Sequence, residues 1–262
     1  MTETIIQTTE LRGTATIKLN RPEVHNAFDE HLIAELTDTL KSINENDAVN
    51  VVILASEGKN FSAGADLNWM RRMADYDEEE NRQDALKLAM LLQTLNELNK
   101  PTIARVQGAV FGGGIGLVAC CDIAVAANNS IFSLSEVLLG LVPATISPYV
   151  ISAIGTRAAR RYFLTGERFS AQDALRFNLV QELSDPEIID ETIDEIVDAL
   201  NQGGSHAQAT AKQLIASVSG RPIDDDLNQR TASVIAQIRA GDEGREGVSA
   251  FLEKRTPKWR GE

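Results

Sequence analysis

The chain predicts an α/β fold with a helical C-terminal part, and three observations carry that prediction. Apolar β-like runs alternate with amphipathic helical periods through the N-terminal part of the 262 residues. Two glycine-bearing turns each follow such a run: Val51-Val52-Ile53-Leu54 leads to Phe61-Ser62-Ala63-Gly64-Ala65-Asp66, and Thr102-Ile103-Ala104-Arg105-Val106 leads to Phe111-Gly112-Gly113-Gly114. From about Pro186 onward strand signals stop and helical periods follow one another.

Taken in order, residues 14–19 read as a strand, 29–43 as an amphipathic helix and 51–55 as a second strand. Residues 77–98 carry a long helical pattern that Pro101 breaks, and the strand beginning at Thr102 follows the break. A short helix starts at Gly113, and 123–126 form a further strand. The repeated unit is a strand feeding a loop and a helix. Helical segments are expected at 187–200, 207–218, 225–239 and 245–254. The chain is accordingly divided into a core, 1–185, and a helical part, 186–262. No Pro/Ser-rich linker separates them, so the helical part is expected to pack on the core or on a neighbouring subunit.

A formal charge of −13 argues against a generic nucleic-acid or anionic-membrane binder, while leaving room for a local cationic site. No stretch is long and apolar enough to span a bilayer. The start, Met1-Thr2-Glu3-Thr4, lacks the basic and apolar regions of a secretory signal. Adjacent Cys120 and Cys121 cannot easily form an unstrained disulfide, which fits a reducing, cytoplasmic setting. His25, His31 and His206 match no metal-ligand spacing, so no metal is expected.

Each glycine turn offers unhindered backbone N–H groups. Two such turns facing each other would grip one carbonyl oxygen from two sides, the geometry that stabilises an enolate or a tetrahedral oxyanion. The stretch Gly114-Ile115-Gly116-Leu117-Val118-Ala119 also fits the dinucleotide fingerprint, with Glu136 about twenty residues on. A ribose-binding acid belongs at the end of the next strand, however, and Glu136 falls well beyond it. A phosphate-binding P-loop is excluded because no Gly-Lys-Ser/Thr follows the glycines.

Ser62-Ala63-Gly64-Ala65-Asp66-Leu67, Gln107-Gly108-Ala109-Val110-Phe111-Gly112-Gly113-Gly114, Cys121-Asp122-Ile123-Ala124 and Ser135-Glu136-Val137-Leu138-Leu139-Gly140 resemble, in order, the signatures of the enoyl-CoA hydratase/isomerase (crotonase) superfamily. Asn20-Arg21-Pro22, Asn26-Ala27-Phe28 and the segment from Glu246 to Arg255 are also similar to family patterns. The resemblance implies a crotonase-like spiral of strand-strand-helix repeats, a helical C-terminal trimerisation region and a homotrimer or homohexamer. It implies an acyl-CoA thioester as substrate, with coenzyme A part of that substrate and no separate cofactor.

Carried over by position, the N–H groups of Ala65 and Gly113 form the oxyanion hole and Glu136 is the acid–base group. Ala63, Asp66, Leu67, Gly112 and Gly116 would lie along the substrate, with Phe251 and Lys254 at its nucleotide end. Asp66 is also placed to cap a helix beginning near Leu67. The apolar segment Val137-Leu138-Leu139 suggests a low-dielectric setting for Glu136. Family hydratases with two carboxylates carry a glutamate where this chain has Gly116, so the dyad is incomplete here.

The stretches around Trp69, Cys120 and Pro143-Ala144-Thr145-Ile146-Ser147-Pro148 resemble bacterial glutaconyl-CoA hydratases of leucine and acyclic terpenoid degradation. That resemblance implies hydration of 3-methylglutaconyl-CoA, or of a longer isohexenyl relative. Thr145 and Ser147 are then candidate donors to the second carboxylate, with Arg71 or Arg72 as charge partners. An isomerase using one glutamate and a non-catalytic acyl-CoA-binding protein are the alternatives.

Overall fold

The computed structural model describes residues 6–260, so the Met1-Thr2-Glu3-Thr4 segment read for targeting signals lies outside the described residues. A six-stranded sheet has the order β1-β2-β3-β4-β6-β9, and a three-stranded sheet has the order β5-β7-β8. In the larger sheet β1 (Ile6–Leu11) pairs antiparallel with β2 (Thr14–Leu19). From there β2, β3 (Val51–Ser56), β4 (Thr102–Val106), β6 (Ile123–Ala127) and β9 (Glu182–Ser184) run parallel. Every residue of β3 is buried, as its unbroken Val-Val-Ile-Leu-Ala-Ser composition requires of a parallel strand covered on both faces.

Two helices cover one face. In α1 (Glu30–Glu45), Asp29 caps the first turn by accepting from Leu32 N at 2.8 Å, and Leu32, Ile33, Leu36, Leu40 and Ile43 form the buried stripe. The helix α2 (Leu67–Met73) follows the first glycine turn. Asp77 and Glu80 close a capping box at the start of α3 (Glu78–Asn96), which packs against α1 and buries Leu91, Leu92 and Leu95. The Lys100 ammonium is sealed beneath the α1–β3 loop, donating to Asn46 O and Val49 O at 2.6 Å each.

Strands of the smaller sheet are β5 (Ala109–Phe111), β7 (Ile131–Ser133) and β8 (Arg168–Ser170). They arise because β4 and β6 each turn a corner into a short strand, so successive turns of the chain wind from one sheet to the other. Between them α4 (Gly113–Cys120) crosses the core, and α5 (Ser147–Thr165), bent at Gly155, packs against it. The smaller sheet is pinned by aromatics: Phe132 stacks on Phe169 at 5.4 Å, and Tyr162 of α5 lies 4.5 Å from Phe169 and 5.3 Å from Phe177. A short helix α6 (Ala171–Arg176) completes this part.

The last strand, β9, ends just before Pro186, where the sequence loses its strand signals. Beyond it, α7 (Ile189–Leu200) lies on the larger sheet, with Ile189, Ile193 and Val197 against Val51, Ile53, Ile103 and Val125. Its neighbours α8 (Ser205–Val218), α9 (Asp225–Ala240) and α10 (Asp242–Glu253) pack mainly on one another. Lys212 of α8 reaches back to Asp122 at 2.8 Å, and that carboxylate also accepts from Thr102 N and Oγ1. Leu252 and Phe251 on α10 and Ile215 on α8 stay exposed. Among the described residues no helix is long and apolar enough to cross a membrane.

Candidate active site

The first glycine turn owes its shape to the segment that precedes α1. The buried Asn26 side chain accepts from Arg21 N and donates to Glu57 O and Asn60 O, which fixes the neighbouring backbone. That backbone then holds the turn: Ser62 Oγ donates to Asn26 O, Ala63 N to His25 O, Phe28 N to Gly64 O, and Asp66 N to Phe28 O. Phe61 N and Ser62 N donate across to Gln107 O and Ala109 O, and Gly64 N donates to Ser62 Oγ. From 61 to 66, therefore, each backbone N–H has a protein acceptor among the described residues except that of Ala65.

The second turn lies beside the first. Phe111 N donates to Ser62 O, and a single parallel bridge joins Ser62 to Val110. Gly112 has φ 50° and ψ −119°, a conformation open in practice to glycine alone, and its N–H goes to Ser133 O. The helix α4 starts at Gly113, a partly exposed residue whose N–H has no intrahelical acceptor and no other acceptor among the described residues. The helix dipole adds partial positive charge there. Phe28 supports this point, 3.4 Å from where a Cβ on Gly113 would stand. A Cβ on Gly112 would come within 3.9 Å of Gly64 Cα, so the turns touch.

Glu136 enters from the smaller sheet. It lies in a 3-10 turn, Ser135–Leu139, that follows β7 and ends at Gly140. Its Oε1 is 3.1 Å from the Cβ position of Gly112, and its Oε2 is buried with no hydrogen-bond partner. Burial raises the carboxyl pKa above 4.5, a shift only partly opposed by its own backbone N–H. Leu138 and Leu139 are 67% and 62% exposed, whereas the Gly112 turn approaches the carboxyl closely, which only a residue without a side chain permits.

Of the residues expected along the substrate, Ala63 and Ala65 are partly exposed beside the free N–H and Leu67 is exposed. The Asp66 side chain is committed elsewhere. It caps α2, accepting from Asn68 N at 2.8 Å and Trp69 N at 3.1 Å, and pairs with Arg21 at 3.3 Å. Of the two roles expected of Asp66, capping the helix that begins at Leu67 is the one its side chain fills. Gly116 is likewise closed off: a Cβ there would meet Ile146 Cγ2 at 2.4 Å and Leu92 Cδ2 at 3.3 Å. The space a side chain would take there is filled by another segment.

Thr145 is partly exposed, whereas Ser147 Oγ is used locally on Ala144 O at 2.7 Å. Arg72 pairs with Glu30 at 2.7 Å and Arg71 donates to Asn68, both at the surface. Phe251 and Lys254 are exposed at the end of α10. Cys120 and Cys121 are unbonded thiols whose pKa values are driven up by burial, that of Cys121 to about 12. Ile146, Phe28 and Asn26 were not legible as site builders, because each acts through a close packing or backbone contact that follows no periodicity.

Two unused N–H groups near a buried carboxyl of raised pKa form a candidate site for chemistry next to a carbonyl. The chain matches the family described as "Enoyl-CoA hydratase/isomerase" over residues 9–262, and it belongs to that family. It is 45% identical to an enoyl-CoA hydratase from Shewanella pealeana ATCC 700345, whose crystal structure it matches with a TM-score of 0.96 over 98% of this chain and 97% of that one. The 2,3-dehydroadipyl-CoA hydratase of Escherichia coli (strain K12) is 30% identical over 246 residues, 94% of each chain. A trans-2-decenoyl-[acyl-carrier-protein] isomerase of Streptococcus mutans is 29% identical over 256 residues, 95% of each. The fold is the crotonase fold, and the family's description names enoyl-CoA thioesters as substrates.

Proposed function

We propose that this protein is a cytoplasmic hydro-lyase that adds water across the double bond of 3-methylglutaconyl-CoA to give 3-hydroxy-3-methylglutaryl-CoA. The N–H groups of Ala65 and Gly113 hold the thioester oxygen, and the Glu136 carboxylate takes a proton from the water that attacks Cβ. The resulting enolate is stabilised by those two N–H groups, and Glu136 then delivers a proton to Cα, so one water is added and the carboxylate is restored. The observation that carries this reading is the position of Glu136 against Gly112, one residue from the free N–H of Gly113. The relative named 2,3-dehydroadipyl-CoA hydratase supports hydration as the reaction. Thr145, partly exposed beside the segment that seals Gly116, is the donor assigned to the substrate's second carboxylate.

A homotrimer or homohexamer is part of the proposal. Leu138, Leu139, Leu141 and Val142 follow Glu136 closely and are all at least half exposed, as are Phe251 and Leu252 on α10, more apolar surface than scattered single residues explain. Assembly would also give Phe251 and Lys254 a neighbour's substrate to contact.

The second reading, isomerisation, is favoured by the relative named an isomerase, since one carboxylate such as Glu136 suffices to move a proton between allylic carbons. Mass-resolved turnover on 3-methylglutaconyl-CoA, crotonyl-CoA and a 3-enoyl-CoA separates them. Gain of one water on the first, reduced about 10²–10⁴-fold by Glu136→Gln, supports hydration. Double-bond migration without mass change refutes it in favour of the isomerase, and binding without turnover leaves the non-catalytic alternative.

A further inference from the structure

Phe28 contacts the residues of both unused N–H groups. Its backbone forms a single parallel bridge with Ala65, Phe28 N donating to Gly64 O and Asp66 N donating to Phe28 O at 2.7 Å each. Its ring lies against the other donor's residue, since a Cβ on Gly113 would meet Phe28 Cε2 at 3.4 Å. One residue thus spaces the pair, and Arg21 grips the chain on both sides of it. Arg21 Nη1 donates to Ala27 O at 2.9 Å and pairs with Asp29 Oδ2 at 2.8 Å, while Nη2 pairs with Asp66 Oδ2 at 3.3 Å. Each carboxylate uses its other oxygen at a helix start: Asp29 Oδ1 accepts from Leu32 N of α1, and Asp66 Oδ1 from Asn68 N and Trp69 N of α2. The side chains of Arg21, Asp29 and Asp66 are 17%, 13% and 9% exposed, a setting in which a charge left without its partner is costly.

We infer that Arg21 is a positioning residue for the oxyanion pair, fixing through Phe28 the distance between the N–H groups of Ala65 and Gly113. The inference rests on the reading of those two groups as the holders of the thioester oxygen. A planar guanidinium meets a carbonyl and two carboxylates at fixed angles, which the point charge of a lysine ammonium does not reproduce. The backbone of Arg21 is tied to the same segment, its N–H donating to Asn26 Oδ1 and its carbonyl accepting from Asn26 N at 2.8 Å each. Its effect on the reaction is one of geometry: an oxygen gripped from two sides is stabilised only while both donors stay at hydrogen-bond distance.

The test reads the thioester carbonyl itself. Butyryl-CoA, a saturated thioester that cannot be hydrated, is labelled with carbon-13 at the carbonyl, and its C=O stretch is recorded free and bound at saturation by difference infrared spectroscopy. Two donors on the oxygen weaken the C=O bond, so the wild-type band should move to lower frequency on binding. Arg21→Lys should return the band at least about halfway to its free position, and so should Asp29→Asn, which keeps an oxygen to cap α1. Both should lower kcat on 3-methylglutaconyl-CoA about 4–10-fold with KM within about twofold, the size expected of donors displaced by a few tenths of an ångström. Leu40→Ala, a cavity about 16 Å along α1 from Asp29, should lower Tm and leave the band at its wild-type position. A wild-type band in both Arg21→Lys and Asp29→Asn overturns the inference, as does a return that Leu40→Ala shares. Asp29→Asn decides alone if Arg21→Lys does not fold. If the wild-type band does not move, the two N–H groups do not hold the oxygen, and the reading of the site fails together with the inference, an outcome distinct from a wild-type shift that Arg21→Lys and Asp29→Asn retain.

Discussion

Gly112→Ala separates the two ways in which the second glycine turn serves the site. At φ 50° and ψ −119° an alanine is strained, at a cost of about 1–3 kcal/mol, which in a chain of this size lowers Tm by about 2–12 °C. The new methyl would also stand 3.1 Å from Glu136 Oε1, a few tenths of an ångström inside an ordinary contact, so the carboxyl must withdraw. A misplacement of about 1 Å lowers rate about 10²-fold, and on a logarithmic scale a shift of about 0.3–0.5 Å lowers it about 4–10-fold.

The assay is kcat for water addition to the thioester, with Gly112→Ala placed in the wild-type and Glu136→Gln backgrounds. The loss should be about 4–10-fold in the first and absent in the second, because its route runs through the carboxylate. An equal loss in both backgrounds would mean that the methyl acts by tilting the Gly113 N–H, and the argument from the Glu136 contact would be refuted.

Three further outcomes follow from particular contacts. Because burial raises the Glu136 pKa and the proposed reaction starts from its carboxylate, kcat/KM should fall on acidification with a midpoint above the usual carboxylate range, a limb that Glu136→Gln lacks. The same shift has a stability sign: the folded state keeps a proton that the unfolded chain releases, so this contribution is full below the unfolded pKa and is lost as pH rises through the folded one. Denaturation of wild type and Glu136→Gln across that window checks it. Asp66→Ala should lower stability by about 0.5–2 kcal/mol through the lost cap of α2, while Asp66→Asn keeps it; a KM effect in Asp66→Asn at unchanged Tm would instead assign Asp66 to substrate. Lys212→Met removes the tie from α8 to Asp122, and hydrogen exchange should quicken across Ser205–Val218 while kcat is unaltered.

The elements legible in the sequence were those with a strong period or a strong stop. The α1 stripe, the run of β3, the Pro101 break and the glycine at the head of α4 were all read close to their observed places. The short strands β5, β7, β8 and β9 were not, since three residues carry no measurable alternation and form only because the corner after β4 or β6 places them beside a partner. The long helix α5 was missed for a different reason. Pro148 sits at its first turn and Gly155 bends it, so two ordinary breakers lie inside one element. In the site, residue types announced the glycine turns and Glu136. They could not announce that Ile146 fills the space over Gly116, or that the Asn26 amide braces the first turn, because both depend on distances between segments far apart in the chain.

The hydrogen-bond accounting of the fold explains why these particular groups form the site. Buried polar groups are nearly always satisfied, and an orphan costs about 1–3 kcal/mol, so groups left open need a reason. Among the described residues the buried side-chain orphans are Trp69 Nε1, Ser130 Oγ and Glu136 Oε2. Only Glu136 also lies against a backbone turn with an unused N–H, at Gly113, beside a second turn whose single unused N–H is at Ala65. A Cβ at 112 would stand 3.1 Å from Glu136 Oε1, and one at 113 would stand 3.4 Å from Phe28. The glycines keep this space open, and on the proposed reading one thioester oxygen between the two N–H groups, with the attacking water donating to Glu136, would complete all three at once. On that reading, the free energy the fold forgoes at this point is what a bound thioester would recover, most fully when its oxygen carries the charge of an enolate.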